Sequence, residues 1–167
     1  SRMLEQEGLA LTIPRKGAQV ARMTEKDLQD VLEVRDALDE LAVSSACAHI
    51  TEEQINELRE TVKEFERAIQ SGDVRKMVQA DEDFHNVIYR AADNPKLETI
   101  VKNLREQMYR YRYEYIKDHT DYKQLVREHA AIIAGFERHD VAYVRAAMHT
   151  HLENQIEAVR MAIREQE

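Results

Sequence analysis

Glycine and proline almost disappear from this chain after residue 24. The only glycines and prolines in residues 25–167 are Gly72, Gly135 and Pro95. These two residue types interrupt helices and fit the turns between strands, so their scarcity leaves few places where a helix has to stop. Apolar residues recur at spacings of three and four across the same region, which is the period of an amphipathic helix. The sequence therefore predicts an all-α fold for this region.

Short polar signals divide the helical region into about six segments. The expected boundaries are the capping box Thr51 to Gln54, the turn Ser71–Gly72, the N-cap Asp73, the pair Asn94–Pro95, the polar break at residues 118–121 and the N-cap Asp140. Because the connections are short, consecutive helices are expected to pack as antiparallel neighbours in one bundle.

Four ionisable residues fall on the apolar faces of the predicted helices. Asp81 and His85 lie one turn apart in the third helix, and His129 and His151 lie in the last two helices. Each histidine taken alone fits an ordinary core residue that is hydrogen-bonded to a neighbour. Together, three imidazoles and one carboxylate form a ligand set for a divalent metal ion. Zinc is the first choice, and nickel, manganese or iron accept the same ligands.

His149 is an alternative to His151 as the third histidine. It is in line with Arg145 and Glu153, a stripe that is expected to face solvent, whereas position 151 shares the apolar face of Met148. We therefore assign His151 to the candidate metal site and keep His149 as the alternative.

The first 23 residues have a different pattern. Residues 2–7 resemble the end of a helix that is capped by Gly8, and two strand-like segments follow. The predicted strands are residues 9–13 and 18–21, and the turn between them carries Arg15 and Lys16. A short β-hairpin with a basic tip is thus expected before the bundle, with a domain boundary between residues 1–23 and 24–167.

Charge and composition limit the possible partners. The whole chain has a net charge of −8 and its first 24 residues carry +2, which leaves −10 for the remainder. Such an acidic body is a poor surface for nucleic acid, so any DNA contact is expected from the N-terminal segment. The sequence shows neither an apolar run that could span a membrane nor a signal peptide. Cys47 is the only cysteine, so an internal disulfide is impossible. A cytoplasmic protein is therefore expected.

Several motifs, taken in their order along the chain, resemble those of one family of regulators. Residues 4–9 (LEQEGL) and 14–21 (PRKGAQVA) are similar to the recognition-helix end and wing of a GntR-family winged helix-turn-helix. The helical part resembles the ligand-binding FCD domain of the FadR subfamily. The motifs that carry this resemblance are residues 32–38 (LEVRDAL), Asp81 with His85, residues 94–97 (NPKL), Glu128 with His129, and residues 147–152 (AMHTHL).

The resemblance implies a bacterial transcription regulator that responds to an effector. Metal-binding members hold a divalent ion with one Asp and three His, which match Asp81, His85, His129 and His151 here, and a small carboxylate binds at or beside the ion. A homodimer on a palindromic operator is also implied, with Arg15 and Lys16 in the wing near DNA. Most of the DNA-reading helix pair is expected to be missing, so this chain should sense an effector but bind an operator poorly.

Two arginines lie among apolar residues of the predicted helices. The ordinary explanation is that Arg35 and Arg112 extend their charged ends to water or pair with an acidic neighbour such as Asp39. The functional explanation is that their guanidinium groups bind the carboxylate of an effector, because this planar fork matches a carboxylate. The family resemblance also implies effector-binding arginines on the first and fourth helices.

Two other functions fit the same residues. A metal ion with open coordination positions could activate water, so a metal-dependent enzyme acting on a small organic acid is the alternative. Against this, no carboxylate is placed as a general base, since helix geometry is expected to point Glu82 and Asp83 away from the ligands. A purely structural metal is a third interpretation.

Overall fold

The computed structural model describes residues 10–13, 17–20, 24–119 and 121–166. Within these ranges it contains two strands and seven helices. The elements are β1 (Ala10–Ile13), β2 (Gly17–Val20), α1 (Glu25–His49), α2 (Glu52–Ser71), α3 (Val74–Ala91), α4 (Pro95–Gln107), α5 (Tyr109–Asp118), α6 (Tyr122–Glu137) and α7 (Val141–Gln166).

The two strands form an antiparallel pair ahead of the bundle. Ala10 lies opposite Val20, and Ile13 lies opposite Gly17. The sequence predicts strands at residues 9–13 and 18–21, so β1 begins one residue later than predicted and β2 both begins and ends one residue earlier. The predicted helix end at residues 2–8 and the turn residues Arg15 and Lys16 lie outside the described residues.

The helix boundaries follow the capping signals in the sequence. Thr51 accepts a hydrogen bond from the backbone of Gln54, and the Gln54 side chain accepts one from the backbone of Thr51. Gly72 caps the C-terminal end of α2, and its φ of 68° is in the left-handed region that glycine adopts without strain. Asp73 caps α3 and Asn94 caps α4, with Pro95 in the first turn of α4.

The prediction of about six helices is wrong at Met108. The predicted fourth helix is divided there, because the Met108 N–H donates to the carbonyl of Arg105 in a tighter turn. Neither glycine nor proline marks this break, and Met108 is itself buried. Arg105 lies before this break and Arg112 after it, and both side chains contact Glu82.

Helix α3 lies at the centre of the bundle. It packs against α1, α2, α4 and α5, while α6 and α7 pack against each other and against α2 and α1 respectively. Gly135 allows α6 and α7 to approach closely, since a Cβ atom at this position would lie 2.8 Å from Cβ of Val144. Side chains on the inner faces of α3, α6 and α7 therefore meet in the interior. None of the described helices is long and apolar enough to cross a membrane.

Candidate metal centre

Four predicted site residues meet in the interior of the bundle. Asp81 and His85 come from α3, His129 from α6 and His151 from α7, and each is at most 4% exposed. One possible ligand atom from each lies within 4.8 Å of the others. Oδ1 of Asp81 is 3.2 Å from Nε2 of His129 and 3.5 Å from Nε2 of His85, and the Nε2 atoms of His85 and His151 are 3.3 Å apart.

Burial and mutual contacts shift the pKa values of three of these groups, Asp81, His85 and His129. Desolvation, followed by the charge of Arg105, holds the pKa of His85 well below its usual value. Desolvation, followed by the proximity of His151, outweighs the attraction of Asp81 and lowers the pKa of His129. Burial alone would raise the pKa of Asp81, but its contacts with His85 and His129 bring it well below the usual value. His85 and His129 are therefore expected to be neutral and Asp81 to be ionised, the forms that bind a metal.

The cluster also has hydrogen-bonding capacity that it does not use. Within the described part of the chain, Nε2 of His129 is buried without a well-aligned hydrogen-bond partner. The Nε2 atoms of His85 and His151 face each other, so at most one of them carries a proton and the other offers a lone pair. Because buried polar atoms are normally satisfied, these nitrogens fit a bound cation. Three imidazoles and one carboxylate suit zinc, nickel or manganese.

Glu128 orients His151 toward the centre. Oε1 of Glu128 is 2.6 Å from Nδ1 of His151, and its other oxygen accepts a hydrogen bond of 2.9 Å from Asn154. This contact fixes the proton on Nδ1 and leaves Nε2 free to face the other ligands, as carboxylates do behind metal-binding histidines. The ring of Phe84 stacks on His129 at 4.0 Å between centroids and restrains that imidazole.

Substitution of Glu128 tests this supporting contact. Glu128→Gln is expected to weaken metal affinity by about 10–100-fold, because an amide raises the basicity of the imidazole less than a carboxylate does. The measurement is a competition titration with a metal-binding dye. Glu137→Gln in the same helix serves as the control, since Glu137 pairs with the half-exposed Arg59. Equal metal affinity for all three proteins would contradict an orienting role.

Arg105 was missed in the sequence analysis, although it contacts the cluster directly. Its Nη2 atom lies 3.5 Å from Oδ2 of Asp81 and 3.2 Å from Oε2 of Glu82, and its Nε donates to Oε1 of Glu82. Nη1 of Arg112 donates to the same Oε2 atom of Glu82. Although burial would raise the pKa of Glu82, the two arginines hold it below its usual value. The expectation that Glu82 points away from the site is therefore wrong, because it lies beside Asp81 in this ion cluster.

Arg35 belongs to a second buried ion pair near the cluster. Its Nε donates to Oδ2 of Asp39 at 3.2 Å, and the Tyr89 hydroxyl donates to the other oxygen of Asp39 at 2.7 Å. The ring of Tyr89 is 6.5 Å from that of His85. Pairing with Asp39 is the ordinary explanation that the sequence allowed. However, Nη2 of Arg35 is buried without a hydrogen-bond partner among the described residues, so this pair leaves one donor available.

His149 lies apart from the four clustered residues. It is more than half exposed, and its two ring nitrogens face Asp36 at 3.4 Å and Glu153 at 3.0 Å. The solvated stripe expected from the sequence is thus observed, and of the two neighbouring histidines only His151 reaches the cluster.

The chain is thus a helical-bundle domain with a buried cluster of one aspartate and three histidines. Comparison of its sequence with known families shows which family of domains it belongs to. The profile of the FCD domain matches residues 30–154. This chain belongs to the FCD domain family.

Similar proteins include regulators of transcription from several bacteria. The chain is 25% identical over 157 residues to the HTH-type transcriptional repressor RspR of Escherichia coli K12, covering 94% of this chain and 69% of that protein. It is 26% identical over 165 residues to the Nta operon transcriptional regulator of Aminobacter aminovorans, covering 97% and 77% of the two chains.

Solved structures share the same fold at low sequence identity. E. coli McbR/YncC superposes with a TM-score of 0.88 at 16% identity, covering 96% of this chain and 81% of that one. A putative GntR regulator from Rhodococcus sp. RHA1 gives a TM-score of 0.76 at 13% identity, with coverages of 95% and 75%. At these identities the likeness establishes the fold.

Proposed function

We propose that this chain is the metal-dependent, effector-sensing part of a bacterial GntR-type transcription regulator of the FadR subfamily. The observation that carries the proposal is the buried cluster of Asp81, His85, His129 and His151 in an FCD domain. Residues 24–167 form the sensing domain, and these four residues hold zinc, or alternatively nickel or manganese. The relatives are regulators of transcription, so the chain is not an enzyme.

The effector is a small di- or hydroxy-carboxylate. A bound divalent ion supplies positive charge and coordination positions that the four protein ligands leave open. The arginines provide the rest of the binding surface. Buried nitrogens of Arg35, Arg105 and Arg112 lack hydrogen-bond partners within the described ranges, and a guanidinium with free donors binds a carboxylate in a fixed orientation. Arg35 and Arg112 are thus proposed to bind the end of the acid that is remote from the metal.

Effector binding acts on DNA through the N-terminal segment. The hairpin of β1 and β2 is proposed to be the wing of a winged helix-turn-helix, with Arg15 and Lys16 at its DNA-facing turn. The functional protein is proposed to be a cytoplasmic homodimer, because a palindromic operator requires two readers related by a two-fold axis. The effector shifts the bundle between two arrangements relative to the wing, to the extent that its affinity for them differs.

Calorimetry on the metal-loaded and metal-free protein tests this function. Acetate, succinate, malate and citrate are titrated into both forms, and at least one acid is expected to bind the metal-loaded form alone. The physical reason is that removing the ion leaves the carboxylate without its strongest positive partner. Equal affinity of both forms for the acid would show that the metal has only a structural role. Conversion of an acid to a product would instead show that the protein is an enzyme.

A further inference from the structure

We propose that Glu82 is a built-in competitor of the effector, because its carboxylate occupies the two-arginine subsite that a carboxylate of the effector enters. This inference rests on the proposed function and adds a residue that sets effector affinity and selectivity. Entry of the effector needs no movement of the helices, because only the Glu82 side chain has to leave the two arginines.

The contacts of Glu82 are those of a bound carboxylate ligand. Its Oε1 accepts from Nε of Arg105, and its Oε2 accepts from Nη2 of Arg105 and from Nη1 of Arg112. This is a two-oxygen pairing with one guanidinium, reinforced by a second guanidinium. A free carboxylic acid would make the same hydrogen bonds, because the recognised group is chemically identical.

The subsite lies directly beside the candidate metal centre. The Nη2 atom of Arg105 that binds Glu82 is also 3.5 Å from Oδ2 of Asp81. An acid with a carboxylate in place of that of Glu82 would thus be next to the metal ligands, and a second carboxylate on the same molecule could reach the metal. This geometry favours dicarboxylates over monocarboxylates.

Glu82 is the most exposed member of the ion cluster. The side chains of Arg105 and Arg112 are 1% and 2% exposed, whereas that of Glu82 is 25% exposed. Glu82 and Arg112 line a pocket of about 320 Å³, and its other polar lining residues are Arg75, Gln79, Glu106, Tyr109 and Arg110. A rotation about the side-chain bonds of Glu82 would carry its carboxylate into this pocket, where the positive charges of Arg75 and Arg110 outnumber the single negative charge of Glu106.

Exchange of one carboxylate for another avoids the main cost of entering this site. Leaving two buried guanidinium groups without an anion would be strongly unfavourable. In the effector-bound state both arginines are again paired with a carboxylate, as they are when Glu82 is in place. The consequence is a reduced apparent affinity, since the effector binds only the fraction of molecules in which Glu82 has moved out.

Calorimetry on metal-loaded wild type, Glu82→Gln and Asp83→Asn tests the proposal, with acetate, succinate, malate and citrate as probes. Glu82→Gln is expected to bind the dicarboxylates about tenfold more tightly or better, because the neutral amide competes weakly for the arginines. Asp83→Asn is the control and should match wild type, since Asp83 accepts its hydrogen bond from Gln79 on the exposed side of the helix. Metal content is measured in all three proteins and should be equal.

The outcomes separate this inference from the proposed function. If the wild type binds an acid and Glu82→Gln binds it with the same or weaker affinity, Glu82 is not a competitor, and the sensing function still stands. Absence of binding in all three proteins would overturn the sensing function, and the competitor with it.

Acetate rescue of Glu82→Ala provides an independent measurement if the glutamine variant is unstable. Removal of the side chain leaves the subsite open, so acetate should raise the melting temperature of this variant in a saturable manner and more than sodium chloride of equal ionic strength. The wild type should show a smaller difference between the two salts. The same response to acetate and chloride in Glu82→Ala would overturn the proposal.

Discussion

Alanine at position 129 is expected to remove the divalent metal from the bundle, together with the stability that the metal adds. His129 is the candidate ligand from α6, and its ring is held against Phe84 with its Nε2 atom 3.2 Å from Asp81. A ligand that binds only the folded state stabilises it by about 4 kcal/mol when its concentration is a thousand times its Kd. With three ligands left, His129→Ala should lose most of this metal-dependent gain.

The measurement compares free energies of unfolding with and without zinc in each protein. Subtracting the metal-free value removes the cost of the cavity that alanine leaves beside Phe84. His149→Ala is the matched control, because this neighbouring histidine is exposed and paired with Asp36 and Glu153. Metal content by mass spectrometry completes the test. A His129→Ala variant that keeps one metal ion and the full zinc-dependent stability would refute the four-residue site.

The candidate ligands could be found from sequence because helical spacing is a reliable guide to which residues share a face. Asp81 and His85 differ by four positions and belong to the inner face of α3, so their proximity follows from the period of the helix. The same reasoning separated His151 from His149, which point to the interior and to solvent respectively.

The ion cluster beside the ligands was missed because the position of a buried charge depends on packing between helices. Arg105 follows Val101 by four residues and precedes Met108 by three, which is a buried stripe. That spacing was the available signal. Its partner Glu82 is only partly buried, so the apolar pattern of α3 did not mark it as a member of an interior ion cluster.

The acid-binding role proposed for Arg35 can be separated from its structural role by a pair of variants. Arg35→Ala alone would leave the carboxylate of Asp39 buried with Tyr89 as its remaining partner, and such an unpaired charge destabilises a protein by several kcal/mol. Asp39→Asn removes that charge first, although the amide oxygen can still accept from Nε of Arg35. Because the competing negative charge is gone, this single variant should bind the acid at least as tightly as wild type.

Adding Arg35→Ala to Asp39→Asn is then expected to weaken carboxylate binding by about 1.5–3 kcal/mol, the contribution of a charge-assisted hydrogen bond. This corresponds to a rise in Kd of roughly 10–150-fold. Calorimetry on the metal-loaded single and double variants measures the difference, with Arg90→Ala as a control, because Arg90 pairs with Glu57 on the surface. Equal affinity of the single and double variants would restrict Arg35 to its pairing with Asp39, and the remote end of the acid would then depend on Arg105 and Arg112.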